Sequence, residues 1–203
     1  MTLSQCGETT VKHLELVEIA KLLTEDPSTC RHLGEICPTC GDRLQQVEAL
    51  MKRFQHWNPE VAVLEGLPAE ALFMAILAAG TDLSGWSAQV EGNAEFQTWG
   101  VAWVALETAR AQLSDEASSP QARDLALLAA KIAESLGAAY HPDYVEDLKA
   151  RAQAIAAAAE APDIALVGAR LKRIAAAVTA LEKGTGEEVV SRDIWNLLSR
   201  VIR

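Results

Sequence analysis

Aromatic residues are scarce in this chain, 5% of 203 positions, and β-branched runs are almost absent while alanine abounds. Sheets draw on aromatic and β-branched side chains and helices do not need them, so the composition argues against a β fold. Long apolar runs are missing too: no window approaches about 18 uninterrupted apolar residues, the length needed to span a bilayer. The opening "MTLSQCGETTVK" lacks a basic stretch followed by an apolar core. No secretory leader is therefore expected, and the expected compartment is the cytoplasm. Basic residues are short where acids are plentiful. Residues 1–58 balance at −2, residues 59–118 hold only Arg110 against nine acids for −8, and residues 119–203 balance at zero. Nothing here neutralises phosphates in bulk, which weighs against direct nucleic-acid binding. The signatures of catalysis are absent as well. No serine sits in a nucleophile elbow, no glycine-rich loop cradles phosphate, and no Glu-x-x-His offers a base beside a metal. The chain reads as a non-enzyme.

What is present is helical periodicity. Half the residues are hydrophobic and recur at helical spacing almost throughout. "VKHLELVEIAKLL" places Leu16, Ile19, Ala20 and Leu23 on one face, and "EDPST" breaks it and starts a short helix carrying His32 and Leu33. "CPTCGDRLQQVEALMKRFQHW" begins in a turn and becomes a helix with Leu44, Val47, Leu50, Met51 and Phe54 inside. "NPEVAVLEG" starts at an N-cap Asn58 with Pro59 behind it, and "LPAEALFMAILAAG" opens a further helix, apolar nearly all round and so expected to be deeply buried. From residue 93 five longer helices follow, with breaks at Ser119-Pro120, Gly137, His141-Pro142, Pro162 and Gly184. The starts near Ser119 and Pro162 lie about 43 residues apart, and those near His141 and Thr185 are offset similarly, as in a two-helix solenoid repeat. The expected fold is all-α: a small helical unit (1–58), a linking helical segment (59–118), and an antiparallel, solenoid-like helical array (119–203). Trp99 and Trp103, four apart on one face, are expected in the core rather than in a ligand pocket.

Three of the four cysteines and one of the four histidines fall in "CRHLGEICPTC", residues 30–40. Cys37 and Cys40 form a C-x-x-C on a tight turn, a spacing that lets both thiolates reach one tetrahedral ion. No βαβ pattern surrounds them, which disfavours a thioredoxin-like redox pair. His32, five positions before Cys37, is a third candidate ligand. For the fourth, His13 at the start of the first helix is preferred to Cys6, which lies in the leading segment. Cys30 sits two residues from His32, so on a helix the two point to different sides, and Cys30 reads as a small core residue. The expected metal set is His13, His32, Cys37 and Cys40 around a structural Zn2+.

The stretch "HLELVEIAKLL…RHLGEICPTCGDRLQQV" resembles the zinc-binding anti-sigma domain of bacterial regulators: an upstream histidine or cysteine, a histidine, then C-x-x-C leading into a long helix. "RDLALLAAKIAESLGAAYHPDYVEDLKARAQA" and "LEKGTGEEVVSRDIWNLLSRV" resemble the tetratricopeptide-like repeats that some bacterial proteins append to such a finger. The resemblance implies transcription regulation through a protein partner, a sigma factor or one like it, held by apolar residues of the helix after the cysteines: Leu44, Val47, Leu50, Met51 and Phe54. The alternative is a helical-repeat scaffold whose zinc is purely structural. The two differ over that helix, because a partner can use those side chains only if later helices leave them exposed.

Overall fold

The computed structural model describes residues 13–54, 58–113, 119–137, 140–160 and 164–202, and it is all-α. Among them run ten α-helices: α1 (Leu16–Glu25), α2 (Pro27–Ile36), α3 (Pro38–Phe54), α4 (Pro59–Ala79), α5 (Leu83–Gly92), α6 (Trp99–Ala111), α7 (Pro120–Ser135), α8 (Pro142–Ala159), α9 (Val167–Lys183) and α10 (Glu188–Ile202). The chain divides into two compact units, Met1–Pro68 and Ala69–Arg203.

In the first unit the helix starts follow local chemistry. The Glu15 N–H donates to the Glu18 carboxylate at 2.8 Å, and Asp26 accepts from the Thr29 N–H at 3.1 Å to cap α2 behind Pro27. Asn58 caps α4 by accepting from the N–H groups of Glu60 and Val61 at 2.9 and 3.3 Å. Helices α1 and α2 pack on each other and on α3. Their shared core is Ile19, Ala20 and Leu23, then Cys30 and Leu33, then Leu44 and Val47, closed by Val63 of α4. Close backbone approach of α2 and α3 depends on glycine: a methyl group on Gly41 would lie 2.7 Å from the Gly34 carbonyl oxygen.

The sequence predicts a helix break before Leu67-Pro68, yet α4 runs unbroken from Pro59 to Ala79 with Pro68 inside it. Proline removes the hydrogen bond to the carbonyl four residues back, here that of Leu64. Leu64 is 58% exposed, so water is at hand for that turn. Nor is α4 deeply buried as its composition suggests: Leu67 is 55% and Met74 61% exposed. Among the described residues it is the one helix long and apolar enough to cross a membrane by length and composition.

The second unit is built around α8, which packs against α6, α7, α9 and α10. Helix α8 buries six alanines (Ala150, Ala152, Ala154, Ala156, Ala157 and Ala159), and α7 buries Ala122, Ala126, Ala129, Ala130 and Ala133. Small side chains let such helices approach closely while Leu125, Leu128, Ile132, Leu148 and Ile155 fill the space between layers. Helix α5, capped by Asp82, is not anticipated by the sequence reading; α9 begins at Val167, later than the Pro162 signal, after a 3-10 turn at Ile164–Leu166. Trp99 and Trp103 are core residues as expected, Trp99 stacked on Tyr140 and Trp103 under the Arg151 guanidinium. The turn holding Gly184 is tied down by Asp147, which accepts from the Thr185 hydroxyl at 2.6 Å and backbone N–H at 3.2 Å.

Candidate metal centre

Helix α2 ends and α3 begins at a single residue. Cys37 is extended; its N–H donates to the Leu33 carbonyl at 3.0 Å, and its own carbonyl accepts from the Gly41 N–H at 2.8 Å. That places Cys37 at the N-cap of α3 and Cys40 in its first turn, the end of a helix that favours negative charge such as thiolate. Both are buried, at 6% and 1% exposure.

His13 completes the group from the chain entering α1. Its Nδ1 lies 3.4 Å from Cys37 Sγ, and the ligand atoms of His13, Cys37 and Cys40 all fall within 4.8 Å of one another. Around a tetrahedral zinc, ordinary bond lengths put sulfur about 3.6 Å from nitrogen and about 3.8 Å from a second sulfur. The group therefore matches the span of one ion, and the cluster could hold a metal.

The structure does not bring His32 into this set. Helix α2 continues to Ile36, so His32 lies mid-helix and exposed, with Nδ1 3.6 Å from the Glu35 carboxylate. The cause is helical phase. Leu33 and Cys37 are four apart and share the buried face; His32, one residue earlier, is turned about 100° away from Leu33. Cys30 lies in the core, its thiol donating to the Ile19 carbonyl at 3.8 Å, and burial first, then the Glu48 charge, push its pKa up and keep it protonated. Cys6 lies outside the described residues, as do His56 and Trp57.

The apolar set of α3 is inside. Leu44, Val47 and Phe54 are 8%, 0% and 1% exposed, and Leu50 and Met51 pack half-buried against the same core. Gly66 of α4 makes the cover over Phe54, since a methyl group there would lie 2.6 Å from the ring. These residues hold the unit together and do not form an open surface. No family model, curated protein or solved structure matches this chain, so the reading of the centre rests on its own geometry.

Proposed function

We propose that the chain is a helical protein-binding scaffold whose N-terminal unit is closed by a structural zinc ion, and that it has no enzymatic role. The observation that carries the zinc reading is the buried convergence of His13, Cys37 and Cys40. Two thiolates and an imidazole suit zinc, and their burial suits an ion that holds chain segments together. Zinc takes a fourth donor, and Cys6 is the cysteine left over once Cys30 is accounted for in the core. Support for the scaffold comes from α3, whose apolar face is occupied by the chain's own helices. Zinc analysis of the purified chain tests the proposal. About one zinc per chain is expected, lost in Cys37→Ser; a chelator-insensitive, folded protein carrying less than about 0.3 zinc per chain overturns it.

A second reading is sequestration of a sigma factor. It is favoured by the order of the donors, an upstream histidine and a C-x-x-C that opens directly into the long helix α3. It requires α3 to surrender Leu44, Val47 and Phe54 to the partner, which means opening the unit. Co-expression with a sigma factor and co-purification decides between the readings: a stable complex broken by Met51→Ala, a half-buried position, in a chain that still folds supports sequestration, and no complex leaves the scaffold.

A further inference from the structure

We infer that Arg43 is the positioning residue of the metal centre, holding the chain that enters α1 so that His13 faces Cys37 and Cys40. The inference rests on the zinc reading above. Two ligands sit at the start of α3, but His13 lies in the lead-in before α1, outside any helix. Something must fix that lead-in. Arg43 stands three residues after Cys40, within one turn on α3 and so on the neighbouring surface. Its Nη1 donates to the carbonyl of Leu14, the residue bonded to His13, and lies 3.5 Å from the Glu15 carboxylate. The side chain is 27% exposed, so this charge-assisted clasp is only partly open to water. Glu15 in turn begins α1 through its N–H bond to Glu18. Arg43 thus spans from the helix carrying the cysteines to the two residues beyond the histidine. Leu14 itself packs half-buried against the core of the unit.

Groups that hold a ligand in place, without touching the ion, commonly set metal affinity by about 10- to 100-fold. If Arg43 acts only by presenting His13, its effect must vanish once His13 is gone. The test is a double-mutant cycle on the full chain, measuring zinc affinity against a chromophoric chelator and the visible spectrum of the cobalt(II)-substituted protein. Arg43→Leu is expected to weaken zinc by about 10- to 100-fold and to shift the cobalt ligand-field bands in the direction that His13→Ala does. In the His13→Ala background, Arg43→Leu is expected to cost no further affinity. Equal loss in both backgrounds, or an unchanged cobalt spectrum with lower thermal stability, overturns the inference, since either means Arg43 acts through charge on the thiolates or through the fold at large. Arg43→Gln carries the cycle if the leucine variant does not fold. A wild-type chain that takes up no zinc or cobalt overturns the zinc reading itself, an outcome distinct from a wild type that binds metal and an Arg43 variant that binds it equally well.

Discussion

At the scale of single residues, the centre turns on which histidine faces the cysteines. His13 Nδ1 is 3.4 Å from Cys37 Sγ, whereas the His32 ring is exposed beside Glu35. His13→Ala should therefore lower zinc affinity sharply, and His32→Ala should leave it within about twofold, each measured against a competing chelator; a chain that loses zinc with His32→Ala and keeps it with His13→Ala would reverse the assignment. Cys6→Ser, compared in the same assay, reports whether the fourth donor comes from the leading segment. Part of this was legible in the sequence. C-x-x-C spacing points to Cys37 and Cys40, and the start of the first helix points to His13. His32 stands apart from them in the structure, because nearness in sequence to Cys37 says nothing of helical phase until the end of α2 is known. Arg43 carried no signal at all, since an arginine bound for a backbone carbonyl reads like any surface arginine.

Helical elements were easier to read than their ends. Caps at Asn58 and Ser119 stand where the sequence puts them, and Asp26 caps the helix that "EDPST" starts, because a side chain three residues from its own N–H partner is a purely local device. Asp26 also gives a pH dependence. Hydrogen bonds from Thr29 and Ser28 hold its pKa down from 3.8 to about 2. A folded-state value below the unfolded one means a contribution complete above about pH 4 and lost as pH falls through about 2. Asp26→Asn should remove that part of the acid transition. The difference between the two acid-unfolding curves reports Asp26, and superimposable curves would deny the cap a charge-dependent role. Where the sequence reading went astray in α4, it did so for a physical reason. Pro68 looks like the first residue of a new helix, but α4 runs through it, with Leu64 four residues back exposed. Pro68→Ala distinguishes the two. In a continuous helix it restores a hydrogen bond and removes a clash, and should stabilise the chain by about 1–3 kcal/mol in denaturant titration. At the start of a separate helix the same change would bring no gain.

The whole molecule is uneven in how it is held together. Among the described residues of the first unit, the cluster around α1–α3 has ten buried members, and three of them are Cys30, Cys37 and Cys40. Two of those three are the proposed zinc ligands, and on that reading the ion would contribute to holding this core closed. In the second unit the described residues of α6, α7 and α8 bury alanine, leucine, isoleucine and valine, and Asp147 is bonded to Thr185. Metal removal should therefore act on one unit and spare the other. Hydrogen exchange of the full chain, with and without a strong chelator at neutral pH, measures this. Amides of α1, α2 and the first turns of α3 should lose protection when the ion is withdrawn, while those of α7 and α8 should exchange as slowly as before. Readdition of zinc should restore α1–α3. Equal loss of protection in α7 and α8 would mean that the two units fold as one cooperative body; protection unchanged everywhere would mean that the apolar members of the small core suffice and that the ion, if bound, contributes nothing to holding the unit closed.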